Sequence, residues 1–230
     1  FKKYGLKPIG DSGYFQKVHI PSDSLPAWRR KRGDSLDYFT ENVVGLIEGT
    51  DLKDEYVIIS AHYDHLGISP DSTKTDRIFN GADDNGSGTS GIINIAEAFA
   101  KAKAEGKGSR RSIVIIAFTG EEKGLLGSKY YSWHPILPFD KAIADINIDM
   151  IGRVDDKHVQ GDRYVYSIGS SRISKNLKKI TEATNKKYTQ LKLDYHYDKK
   201  NDSNRFYYRS DHYNFAKNNI PVVFFFDGIH

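Results

Sequence analysis

Cysteine is absent from the 230 residues, which excludes disulfides, thiolate nucleophiles and cysteine-ligated zinc and suits any redox compartment. Methionine occurs once, at Met150, and Phe1 stands first, so the chain reads as a processed product trimmed at both ends. No apolar run approaches the ~20 residues of a membrane-spanning helix, and no segment is expected to cross a bilayer. Charge of one sign is also scarce. The net charge is +4, and the only dense basic run, Arg29-Arg30-Lys31-Arg32, lacks interleaved aromatics. It reads as a solvated loop and not as a nucleic-acid patch. There is no internal repeat and no low-complexity tract. What remains, 38% hydrophobic and 28% charged residues, is enough for one large domain with a substantial core.

Hydrophobic patterning predicts an edge strand over residues 14–20, a polar loop over 21–40, and neighbouring strands over 42–48 and 56–60. The second is apolar throughout and therefore central. Further buried strands are expected over 112–118, 142–148 and 221–226, with others over 163–168 and 191–197. Helices are expected from the glycine-rich turn to about residue 105, and over 124–131, 171–187 and 210–218. Strands alternating with helices imply an α/β fold. The expected form is a three-layer sandwich, with a mixed, mostly parallel twisted sheet of about eight strands and helices on both faces.

The chemistry collects where apolar strands end. One strand runs into His62 and Asp64, a second into Glu121 and Glu122, a third into Asp149. Open α/β sheets bind ligands just outside the carboxyl ends of their strands. The turn Asn80-Gly81-Ala82-Asp83-Asp84-Asn85-Gly86-Ser87-Gly88 follows the first of these strands. It sets two carboxylates beside a helix that Ser87 or Thr89 can cap. Each piece also has a plain structural reading. His62 can be a satisfied strand-end histidine, Asp64 and Asp149 turn caps, and Glu121-Glu122 acids favoured by a helix N-terminus. Together those readings leave four or five carboxylates on one rim with no Lys or Arg in the motifs before Lys123 and Arg153. A divalent cation, or two, is the simplest way to hold them. Histidine with carboxylates and no thiolate suits catalytic zinc. An Asp can bridge two metals, adjacent glutamates can divide metal binding from base catalysis, and Asp64 can fix the His62 tautomer.

Five motifs resemble one zinc-peptidase family. They are Ser60-Ala61-His62-Tyr63-Asp64-His65-Leu66-Gly67, the Asn80–Gly88 turn, Phe118-Thr119-Gly120-Glu121-Glu122-Lys123-Gly124-Leu125-Leu126-Gly127-Ser128, Asn147-Ile148-Asp149-Met150-Ile151-Gly152-Arg153, and Arg209-Ser210-Asp211-His212 followed by Asn219-Ile220-Pro221. The chain is similar to the family of bacterial leucyl aminopeptidases, glutamate carboxypeptidase II and the glutaminyl cyclases. That resemblance implies that His62 and Asp149 bind one zinc, Glu122 the other, and Asp84 bridges them. It also implies Glu121 as general base, Asp64 as orienter of His62, and a cis peptide after the bridging Asp. Arg209 matches an arginine near the substrate oxyanion, with His212 beside it. The implied activity is removal of N-terminal residues from peptides with a free N-terminus, by a zinc-bridged hydroxide, in a secreted or periplasmic setting.

One departure matters. The fifth ligand of the family is a histidine shortly past the last strand, and the pattern around it is missing here. It is expected beyond residue 230, with His230 as second choice and His212 as a further stand-in. The expectation is at most one zinc held firmly, by His62, Asp84 and Asp149, with weak activity or none, and two zincs in a complete domain. Residues 21–40 take the place of the family's protease-associated insert, leaving residues 1–230 as a single catalytic domain. A single-zinc glutaminyl-peptide cyclase and a non-catalytic member of the fold are the alternatives.

Overall fold

A computed structural model describes residues 1–22 and 37–230. The basic run at 29–32 and most of the expected 21–40 loop lie outside the described residues. The strands are β1 (Lys7–Pro8), β2 (Phe15–Ile20), β3 (Tyr38–Ile47), β4 (Leu52–His62), β5 (Gly67–Ile68), β6 (Ile78–Phe79), β7 (Arg111–Phe118), β8 (Ala142–Ile148), β9 (Tyr164–Ile168), β10 (Lys192–Asp194) and β11 (Val222–Phe226). The helices are α1 (Gly86–Ala104), α2 (Leu126–Trp133), α3 (Lys175–Thr184) and α4 (His212–Ala216).

Among the described residues nine strands form one sheet, ordered β1-β3-β7-β4-β8-β11-β9-β10 with β2 also on β3, while β5 and β6 make a separate ribbon. The centre, β7-β4-β8-β11, is parallel; β3 joins it antiparallel on one side and β9 on the other. β7 is apolar on both faces, as a strand covered from both sides must be. Its Ile113, Ile115 and Ala117 pack with Ile59, Ile92 and Ala96 under α1. Its Val114, Ile116 and Phe118 enter a second core with Tyr131, Phe215 and Phe224, under α2 and α4. Each such aliphatic or aromatic side chain contributes about 1.5–3 kcal/mol when fully buried.

The two strands expected as neighbours, now β3 and β4, are not paired: β7 lies between them. β4 is apolar enough to take parallel partners on both edges, and α1 returns the chain to supply one of them. The turn from β3 to β4 crosses the start of β7, with the Thr50 and Leu52 N–H groups donating to the Arg110 carbonyl at 3.0 and 3.1 Å. Gly49 permits that crossing, since a Cβ there would lie 2.4 Å from Arg110 O. Other boundaries tighten. Helix 171–187 becomes α3 followed by a π turn, Asn185–Thr189, which Asn185 closes by bonding both the N–H and the C=O of Leu191. Strand 191–197 becomes β10 and a 3₁₀ turn, His196–Asp198.

Candidate metal centre

Register makes the centre. Where β4 and β8 run parallel, Ser60 lies opposite Asn147. Two residues further along, side chains return to the same face, so His62 and Asp149 emerge together, with Nε2 3.2 Å from Oδ1. His62 also lies opposite Phe118 of β7, and the turn after Phe118 brings Glu121 alongside. One donor atom each from His62, Glu121 and Asp149 falls within a 4.8 Å span.

The acidic turn closes the group from the loop side. Asp84 Oδ1 lies 3.1 Å from the same Nε2 of His62, and the Asp84–Asn85 peptide is cis. Asn85, and neither Ser87 nor Thr89, caps α1. Its Oδ1 accepts from the Gly88 N–H at 2.9 Å and from the Met150 N–H at 3.2 Å, while its Nδ2 donates to Ile148 O at 3.0 Å. One buried amide therefore fastens the turn to the end of β8. Ser87 instead donates to Asp83 O, and Thr89 to His62 O.

Asp64 acts chiefly on the backbone. Its carboxylate accepts from the N–H groups of Glu121 and Glu122 at 3.0 and 3.3 Å, which fixes the Glu-Glu turn. His62 Nδ1 lies nearer to the Asp64 carbonyl oxygen, at 3.1 Å, than to its carboxylate, at 3.7 Å. Asp64 thus orients His62 mainly through its main chain.

Burial and like charge dominate the electrostatics. Burial raises Glu121 well above the usual carboxylate range, with Asp149 and Asp211 adding to the rise. Burial and Asp84 raise Glu122 in the same way. For Asp84 the burial penalty is outweighed by His62, and its pKa falls. His62 is raised although burial opposes it, because Asp149, Asp64 and Asp84 all favour the cation.

A small cleft of about 130 Å³ opens here, lined by Asp84, Glu121, Glu122, Asp149 and Arg209 among others. Arg209 therefore reaches the site, its guanidinium 5.0 Å from the ring centre of Phe206. His212 does not. Its ring is fully buried, Nε2 sits 2.9 Å from Tyr207 O, and it stacks on Phe224, because α4 points it into the core. His230 lies 3.0 Å from Asp83 and 3.3 Å from Asp227, a group apart from Glu122. A larger apolar groove of about 550 Å³ between α3 and the sheet contains none of the site's carboxylates.

Three residues escaped the sequence reading as site members. His65 lies 2.8 Å from Glu122, Ser210 donates to Asp149 at 2.7 Å, and Asp211 is fully buried with both oxygens unpartnered. All three stand inside the quoted motifs, and adjacency to assigned residues was the only signal.

A metal fits this arrangement. Donors on tetrahedral zinc with bonds of 2.0–2.1 Å stand about 3.3 Å apart, close to the 3.1 and 3.2 Å separations at His62. His65 Nδ1 and Glu122 Oε1 are both buried and face each other at 2.8 Å beside Asp84, a second group of donor atoms within a 4.8 Å span. Parallel strands that deliver His, Glu and Asp to one rim in this way form a group able to hold a divalent metal. The chain belongs to peptidase family M28, whose sequence profile matches residues 42–230. Aminopeptidase YwaD of Bacillus subtilis (strain 168) is 32% identical over 115 residues, 49% of this chain and 22% of that protein. The Legionella pneumophila LapA aminopeptidase structure shares the fold with a TM-score of 0.63 at 22% identity, over 99% of this chain and 50% of that one. A Porphyromonas gingivalis glutaminyl cyclase structure matches with a TM-score of 0.64 at 20% identity, over 97% and 70% of the two chains.

Proposed function

We propose that this chain is a zinc-dependent aminopeptidase that releases N-terminal residues from peptides. The observation that carries the reading is the meeting of Asp84 and Asp149 at 3.1 and 3.2 Å from Nε2 of the buried His62, with Glu121 beside them. His62, Asp84 and Asp149 would hold a zinc, which supplies a Lewis acid to polarise the scissile carbonyl and acidify the attacking water.

The chain's own residues carry the proton. Glu121, its basicity raised by burial and by Asp149, takes a proton from the attacking water as the oxygen bonds to the carbonyl carbon. It then gives that proton to the departing amide nitrogen as the C–N bond breaks. Asp64 keeps the Glu-Glu turn in register for both steps. Arg209, on the cleft wall, offers a cation to the developing oxyanion. A free α-ammonium would enter among acids that outnumber the nearby cations, which favours cleavage at the first peptide bond.

A panel of aminoacyl-coumarins, with and without added zinc, tests this reading. Zinc-dependent release of coumarin is the expected result. Conversion of a Gln-initiated peptide to its pyroglutamyl form, with ammonia released and no residue lost, would replace the peptidase by a cyclase. Zinc binding without either reaction would leave a non-catalytic member of the fold.

A further inference from the structure

The positive charge of this chain is gathered in one stretch. Residues 171–200 carry nine lysines and arginines against three acids, a net charge of +6, while the rest of the chain carries 25 against 27, a net charge of −2. That stretch is also one piece of the fold. It runs through α3, the π turn, β10 and the 3₁₀ turn, at the β9–β10 end of the sheet. We propose that this basic edge is a docking surface for an anionic lipid bilayer, holding the domain against a membrane without any segment crossing it.

The charge is free to act outward. Lys175 and Lys179 on α3, Lys186 and Lys187 on the π turn, Lys192 on β10, and Lys199 and Lys200 beyond the 3₁₀ turn are all exposed, and none pairs with a carboxylate among the described residues. The three acids of the stretch are engaged elsewhere. Glu182 accepts from the Tyr195 hydroxyl at 3.0 Å and lies 3.9 Å from Lys178. Asp198 accepts from the Gly169 N–H at 2.7 Å and lies 3.3 Å from Arg172. Asp194 accepts from the His196 N–H at 2.7 Å and lies 3.5 Å from His158. Seven uncompensated lysines on one edge repel one another, and a plane of opposite charge relieves them. A cluster of four to eight such cations on an amphipathic helix and its flanks is what anionic headgroups attract.

The arrangement favours a bilayer over a nucleic acid. Lys175, Lys178 and Lys179 share one face of α3, at i, i+3 and i+4, while Leu177 and Thr181 turn to the apolar groove on the other. The π turn continues the basic face on a fixed tip, because Asn185 bonds both main-chain groups of Leu191. Tyr188 projects from that tip, 69% exposed, with the Lys187 ammonium 4.8 Å from its ring centre. One exposed tyrosine among lysines suits the headgroup region of a bilayer. Single-stranded nucleic acid is held by successive rings that stack its bases, and the other tyrosines of the stretch, Tyr195 and Tyr197, are half-buried and buried.

Sedimentation with phosphatidylcholine vesicles, plain or containing about one third phosphatidylglycerol, tests the surface. The chain is expected to bind the anionic vesicles only, and to lose at least ~10-fold in affinity between ~50 and ~500 mM salt. Lys186→Glu with Lys187→Glu, and separately Lys175→Glu with Lys179→Glu, should each weaken binding at least ~10-fold at an unchanged melting temperature. Lys2→Glu with Lys3→Glu makes the same change of net charge away from this edge and should weaken binding less than ~2-fold. Failure to bind anionic vesicles, equal binding to plain ones, or equal weakening by the Lys2 and Lys3 reversals would overturn the proposal. Tighter binding to duplex DNA than to anionic vesicles at equal phosphate would overturn it in favour of nucleic acid. Coumarin release is read in none of these arms, so the result stands apart from the peptidase reading.

Discussion

Ser210 Oγ donates to Asp149 Oδ2 across 2.7 Å, and the same hydroxyl accepts from Asn147 Nδ2 at 2.8 Å. Behind Asn147, Ser60 lies 3.0 Å from its Oδ1 and 2.8 Å from Asp145 Oδ1. Asp145 is fully buried, and burial raises its pKa well above the usual range against the pull of Ser60. Where Ser60 donates to Asn147 Oδ1, the Asn147 amide and the Ser210 hydroxyl both point their donors toward Asp149. Ser210→Ala should therefore weaken zinc binding about 10- to 100-fold while the fold survives. Competition with a zinc chelator measures it, and an unchanged affinity would make the seam a packing feature only.

Glu121→Gln removes the carboxylate proposed as the base and keeps the shape. Zinc content should stay as in the parent, and kcat should fall at least ~100-fold. If the variant loses zinc together with activity, Glu121 is a ligand and the roles of the adjacent glutamates are exchanged.

Asp84 and Asp83 are neighbours with different partners. Asp84 faces His62, whereas Asp83 accepts from the Gly152 N–H at 2.8 Å and lies 3.0 Å from His230. Asp84→Ala should empty the centre and lower the melting temperature of the zinc-loaded protein, since bound metal stabilises the folded state. Asp83→Ala should lower the melting temperature while retaining zinc. Indistinguishable zinc contents would refute the distinction.

Asp211 predicts a pH effect in chelator-treated protein. Burial pushes its pKa up to about 7 from 3.8, with His62 opposing and Asp149 and Asp64 reinforcing the rise. Between pH 4 and 7 the folded carboxyl keeps a proton that the unfolded chain has released, so its contribution to stability falls as pH rises through that window. The stability gained by Asp211→Asn should therefore grow from about pH 4 to about pH 7, by roughly 1.4 kcal/mol per unit at most, and level off above. His212, held down to about 3 by burial, works in the opposite direction, but it is common to both proteins and cancels in the difference. A difference that does not vary with pH would contradict the raised Asp211.

The centre was legible because β4, β7 and β8 each carry their own signal, an apolar run that stops at a histidine or carboxylate able to take part in a metal site. Once such strands are parallel neighbours, His62 and Asp149 converge by register, and the turn after Phe118, fixed by Asp64, brings Glu121 alongside. Strand order was less legible. Nothing in the alternation of β3 and β4 says that β7 will come between them; that follows from a crossing over Gly49 whose partner, Arg110, is distant in sequence. The helix cap went to Asn85 because its amide also reaches β8, a tertiary contact that outweighed the local claims of Ser87 and Thr89. His65 was hidden for the same reason. A loop histidine comes to lie beside Glu122 only through the path of its loop, and here the ring packs against Phe79 of the β5–β6 ribbon and against Gly81.

The insertion of β7 between β3 and β4 also shapes how the chain folds during synthesis. β1 and β2 pair with one edge of β3, and its other edge belongs to residues 113–117 of β7. Until α1 and β7 have left the ribosome, that edge has no partner of its own and offers a bare ladder to other chains. Such a long-range pairing is slow to form, so this edge of β3 stays open while the residues up to β7 are still being made.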